Sequence, residues 1–178
     1  QNTLNYLAPG TIDFRRTVSV AWCSYSHIIQ LRSWLPDAVG GVCWISVDNP
    51  AQSPRVPVFC GTTRLPQAYN VCGQKQYNEN AVLWKYRKAN KLATLSWQRT
   101  KDYMMKNVKE QEDKAFAGLP ALEKRILAMS QSVTTNEQQQ RMEEQTEALL
   151  NDYTFSVYDR TSAVWKEMEE KFWQLFGM

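Results

Sequence analysis

Histidine is nearly absent from this sequence: His27 is the only one in 178 residues. The four cysteines, Cys23, Cys43, Cys60 and Cys72, stand at spacings of 20, 17 and 12. With one imidazole to help them, these spacings fit no zinc pattern. GxSxG and HExxH are missing, and no Gly-rich phosphate loop follows a strand pattern. The residues alone therefore show no catalytic set, no metal site and no cofactor. Carboxylates are sparse early in the chain, where only Asp13, Asp37 and Asp48 occur before residue 60. A lone His without acidic neighbours is read as a structural residue. No run of 18 apolar residues exists, so no membrane span is expected. Strong charge is missing as well. The net charge is +3, with six Lys/Arg against four Asp/Glu in residues 1–80 and fifteen against fourteen in 81–178. Neither part is basic enough to favour nucleic acid.

What is present is ordinary globular material: 43% apolar and 22% charged residues, enough for a real core. The stretch from Arg16 to Gly61 organises the rest. Val18, Val20 and Trp22 alternate with Ser19, Ala21 and Cys23, a period of two that predicts a first strand over 17–31, bent near Ser24-Tyr25-Ser26. The paired Arg15-Arg16 opens that strand as a solvated edge. Leu35-Pro36-Asp37 with Gly40-Gly41 turns the chain. Val42 to Val47 is almost wholly apolar, as in a strand covered on both faces. Asp48-Asn49-Pro50 ends it. Pro54 and Pro57 make 51–61 an edge strand or extended loop. Three tryptophans, Trp22, Trp34 and Trp44, are expected to supply packing energy here. The cysteines are read as free, buried thiols in strands, with a Cys23–Cys43 bridge also conceivable.

Residues 62–79 are a turn-rich connection. A helix then begins near Asn80, capped by Asn78 or Asn80, with Val82, Leu83, Tyr86, Ala89-Asn90, Ala93 and Trp97 on its apolar stripe. Gly118-Leu119-Pro120 is expected to stop it and to start a short helix. Thr134-Thr135-Asn136 is the next capping site, and 136–176 a long helix striped by Met142, Thr146, Leu149, Tyr153, Val157, Val164, Met168, Phe172 and Leu175. The long helices should lie antiparallel. The reading is α+β: an antiparallel strand region over 1–79 and a helical region over 80–178 packed on it, together one incomplete domain.

The segments SHIIQLR, LPDAVGGVCW, DNPAQSPRVP and ANKLA, with the terminal KFWQLF, resemble the C-terminal part of the dipeptidase family of N-terminal-nucleophile hydrolases; secernins are more distant relatives. The resemblance covers most of 16–97 and is looser from 98 to 178. It implies the C-terminal portion of an αββα sandwich and, in the complete protein, hydrolysis of dipeptides. The nucleophile it implies is an N-terminal cysteine whose own α-amine acts as base. Gln1 stands where this chain begins, and its four cysteines have acylated nitrogens, so no catalytic residue is assigned. The chain is expected to be a fragment, inactive by itself, whose partner is the N-terminal segment of the same peptidase. That partner is expected to cover an exposed apolar sheet face. Tyr25, Ser26 and His27 are the candidate substrate-binding residues, because the SHIIQLR match falls at the strand bend. Unpaired sheet edges make a homo-oligomer a further expectation. The alternative is a non-catalytic interaction module retaining the same scaffold. The compartment is not legible.

Overall fold

A computed structural model describes residues 2–13 and 19–176. It contains α1 (Asn2–Leu7), β1 (Tyr25–Leu31), α2 (Asp37–Gly40), β2 (Gly41–Val47), β3 (Val56–Phe59), α3 (Val82–Leu95), α4 (Trp97–Gln131) and α5 (Asn136–Gln174). The strands form one antiparallel sheet in the order β1-β2-β3. Tyr25 lies opposite Val47 and Leu31 opposite Gly41, while Val42 lies opposite Phe59.

The mixed α+β class, the sheet-then-helix order and a strand at 42–47 are as the sequence predicts, although β2 is fully covered on one face only, with Cys43 and Ile45 half-buried on the other. The first strand is shorter. Arg15-Arg16 and its start at 17–18 lie outside the described residues, and 19–24 is not strand. The Cys23 N–H turns back to the Val20 carbonyl, 3.1 Å, so the Val20/Trp22 alternation belongs to a turn. Trp22 and Trp34 are exposed, and only Trp44 is buried. Trp44 sits 4.4 Å from the ring of Phe116 on α4 and donates from Nε1 to Gln30, 3.1 Å. The cysteines are free as expected but not all buried: Cys60 and Cys72 are exposed, and Cys23 and Cys43 are half-buried. Cys43 faces Ile29, six residues along from Cys23, which excludes that bridge.

The helices depart from the sequence reading at two points. The first long helix breaks at Ser96 (φ −138°, ψ 54°). The Ala93 carbonyl, orphaned by the break, accepts from Thr100 Oγ1, 2.8 Å. Conversely, α4 runs straight through Gly118-Leu119-Pro120 to Gln131. A Cβ at Gly118 would stand 2.5 Å from the Tyr153 hydroxyl, which donates to the Ala115 carbonyl. Gly118 thus marks a close helix–helix approach rather than a stop. Asn78 forms a turn before α3, whose N-cap position is Ala81 without a side-chain cap. Thr135 does cap α5, in a reciprocal box with Gln138.

The core lies between α5 and its neighbours. Tyr86 meets Thr161 and Asn90 meets Trp165, both 75 residues apart, so α3 runs parallel to α5. Tyr153 reaches Ala115 and Arg160 reaches Gln111, so α4 runs antiparallel to it. The buried stripe of α5 includes Leu150, Thr154, Val157, Thr161, Trp165, Met168 and Phe172. Leu149 and Val164, expected on it, flank it half-buried. Trp165 stands at its centre.

Burial pushes the Tyr86 hydroxyl from 10.0 up to about 12. The folded chain keeps a proton that the unfolded chain releases first. The stabilisation is full below about pH 10 and is lost as pH rises towards about 12, by about 3 kcal/mol for this group. Tyr69, also raised by burial, acts in the same direction. Urea melts at about pH 9 and 11 should show this slope, and Tyr86→Phe should flatten it.

Candidate functional site

The three candidate residues fall at the start of β1. Period-two alternation places Tyr25, His27, Ile29 and Leu31 on one face of the sheet, with Cys43, Ile45 and Val58 beside them on β2 and β3. The opposite face carries Trp44, Phe59 and Pro57 and packs on α4 and α5: Phe59 lies 5.9 Å from Tyr153, and the Thr154 hydroxyl donates to the Pro57 carbonyl, 2.9 Å. The first face is open along β1, and closes at Val47 and Val56, which share it and are buried. Tyr25 is 64% exposed, Ile29 62% and Leu31 77%, while Cys43, Ile45 and Val58 are half-buried. β2 is therefore fully covered on its helix side only. Tyr25 and His27 stack on the open face, ring centroids 6.2 Å apart at 18°. Ser26 lies on the other face, opposite the buried Ser46. The structure thus groups Tyr25 with His27 and separates Ser26 from them.

Behind the strand entrance sits a buried polar network that the sequence reading did not single out. Asp48 ends β2 with φ 64°, a left-handed conformation that Asp tolerates better than most residues. Its carboxylate accepts from Arg87 Nε, 2.6 Å, and from Asn90 Nδ2, 2.9 Å. Asn90 also donates to Ser53 Oγ, 2.8 Å, and accepts from Trp165 Nε1, 3.0 Å. Arg87 donates to the Cys23 carbonyl, 3.2 Å, and the Asp48 N–H donates to the Ser24 carbonyl, 3.0 Å. The network fixes the 48–53 loop, the α3–α5 contact and the residues just before Tyr25. At the far end of β1, the buried Arg32 donates to the Val39 carbonyl, 2.7 Å, and pairs with Glu123 of α4. The sequence signal was present: Asn90 is a polar residue within the apolar stripe of α3.

Among the described residues no group of three or more His, Cys, Asp and Glu side chains is placed to hold a metal ion. Cys43, on the open face, has its thiol raised by burial. Backbone N–H groups of Gln74 and Lys75 lower the Cys72 thiol, but that residue lies in the connection before α3. The Cys23 thiol donates to the Tyr25 carbonyl, 3.1 Å. No described residue makes a helix long and apolar enough to cross a membrane.

Comparison with known proteins adds three matches. The family model described as peptidase family C69 matches residues 5–110. A protein described as a probable dipeptidase from Latilactobacillus sakei is 35% identical over 66 residues, which make up 37% of this chain and 14% of that protein. A probable dipeptidase B from Streptococcus pyogenes serotype M1 is 34% identical over 59 residues, 33% of this chain and 12% of that protein. The matches thus span a minor part of the length of these curated relatives. The family match takes in the whole sheet, α3, and Asp48, Ser53, Arg87 and Asn90 of the buried network, while Trp165 lies beyond it.

Proposed function

Because this chain belongs to peptidase family C69, we propose that it is the sheet-and-helix portion of a dipeptidase whose nucleophile comes from outside these 178 residues. The single observation that carries this reading is the open sheet face. Tyr25, Ile29 and Leu31 stand largely in water, and burying a side chain of this size is worth about 1.5–3 kcal/mol. A contiguous apolar face of this kind marks a surface that something covers. A second sheet packed on it, with helices outside, would complete an αββα sandwich. The short match to each curated relative agrees with further polypeptide being involved.

In this reading Tyr25 and His27 contribute to the dipeptide site, because they stack on the covered face at one end of the sheet. Ser26, on the helix side of the strand opposite Ser46, stands apart from that pair. The thiols described here are not used. The reading rests on an amine-activated cysteine elsewhere, for which a neutral α-amine is the proton acceptor. An interaction module built on the same scaffold is the second reading, favoured by the contiguous buried core that the described residues form among themselves.

The test is made in a peptidase carrying this segment. His27→Ala and Tyr25→Ala should each raise KM for dipeptides by about tenfold, the loss of one ordinary polar or packing contact. The circular dichroism spectrum should stay unchanged. Unaltered kcat/KM in both variants would remove these residues from the site.

A further inference from the structure

The outer edge of β1 is a second open feature, distinct from the open face. The Asp48 N–H donates to the Ser24 carbonyl and the Arg32 N–H to the Gly40 carbonyl, each 3.0 Å. These bonds flank the ladder. By antiparallel alternation, Ser26, Ile28 and Gln30 turn their backbone groups towards β2, and Tyr25, His27, Ile29 and Leu31 turn theirs outward. Among the described residues no strand pairs with them.

The two edges of the sheet are built differently. On β3 the outward positions are Pro57 and Phe59. Pro57 has no N–H, its carbonyl is taken by Thr154, and the Phe59 N–H donates to Thr62 Oγ1, 3.0 Å. That edge is closed. β1 reads YSHIIQL, with no proline and no charge, and so lacks the usual devices that keep an edge from pairing. Ile28, on the helix side, is also 53% exposed.

We propose that β1 pairs antiparallel with β1 of a second copy, about a two-fold axis at Ile28, to make one six-stranded sheet. The strand is self-complementary in this register. Tyr25 faces the partner's Leu31, His27 faces the partner's Ile29, and Ser26 faces the partner's Gln30. The Tyr25 ring meets Leu31, the His27 ring meets Ile29, hydroxyl meets amide, and no like charges oppose each other. All four outward-facing residues then form bonded pairs, the Tyr25 carbonyl keeping the Cys23 thiol, 3.1 Å, on its second lone pair. Ile28 covers itself across the axis, which accounts for its exposure on a face otherwise packed by helices. The open face stays free, so the proposal does not depend on dipeptide cleavage.

Sedimentation of the 178-residue chain over a concentration series tests it. A small interface of this kind should dissociate at on the order of 10–100 µM. Ile28→Lys places two ammonium groups across the axis, and Ile29→Pro removes an outward N–H while sparing every bond to β2. Each should weaken the dimer more than about tenfold with an unchanged circular dichroism spectrum. Ile28→Cys should give an intermolecular disulfide, mapped by peptide mass spectrometry, because facing non-bonded residues approach to about 4.5 Å between Cα atoms. A monomer at on the order of 1 mM overturns the proposal and leaves the edge to a strand from other polypeptide. A dimer indifferent to Ile28→Lys and Ile29→Pro overturns it too, and points to the open face or the helices.

Discussion

Trp165→Ala is expected to remove about 3–5 kcal/mol of stability, a large part of the 5–15 kcal/mol or so that a domain has. Trp165 is fully buried on α5. Its ring lies 5.5 Å from that of Tyr86, and its Nε1 donates to Asn90. Alanine leaves a cavity where α3 meets α5 and strips Asn90 of a donor at the same time. Trp165→Phe separates the two effects. It keeps an aromatic ring and still orphans the Asn90 carbonyl, at about 1–3 kcal/mol. Urea melts followed by far-ultraviolet circular dichroism measure both. A loss below about 1 kcal/mol for the alanine variant, the ordinary scale of surface changes, would contradict the placement of Trp165.

Arg87→Met should cost about as much, 3–5 kcal/mol or so, because it leaves a buried carboxylate with its charge uncompensated. Asp48 is 1% exposed at its side chain and Arg87 16%. Asn90 remains as a donor but carries no charge. Asp48→Asn is the milder change, since Asn tolerates the left-handed backbone and needs no counter-ion. Combining it with Arg87→Met should recover part of the loss, a coupling that a double-mutant cycle reads directly. The effect reaches the proposed site. Arg87 also holds the Cys23 carbonyl, and Asp48 the Ser24 carbonyl, so the residues before Tyr25 should exchange their amides faster in Arg87→Met than elsewhere in the sheet. Uniform acceleration would mean that the pair supports the fold without positioning β1.

What the sequence made legible was whatever local chemistry decides. Val42 to Val47 read as a strand, though one covered on both faces rather than on one. Two prolines left 51–61 as an edge strand or an extended loop, and β3 is the edge. Thr134-Thr135-Asn136 announced the start of α5. The readings that failed turned on hydrogen bonds and contacts that side-chain pattern does not encode. Val20 and Trp22 alternate like a strand, yet Cys23 turns back on Val20. Nothing local marks Ser96 as a break, and the orphaned Ala93 carbonyl is repaired by Thr100 from the next turn. Gly118 and Pro120 look like a helix stop because their use, making room for Tyr153, lies on a helix far away in sequence. The exposed apolar face was expected from the resemblance, and Tyr25, Ile29 and Leu31 form it. The Asp48–Arg87–Asn90 network went unseen because its members are spread from residue 48 to residue 90, and a charge on a helix reads as solvated until its partner is known.

Incubating the purified 178-residue chain with a panel of dipeptides tests the central reading most directly. The account predicts no release of free amino acids above the uncatalysed background, because it draws the nucleophile from outside these 178 residues. Turnover at about 1 s⁻¹ or faster, abolished by a thiol-blocking reagent, would contradict it.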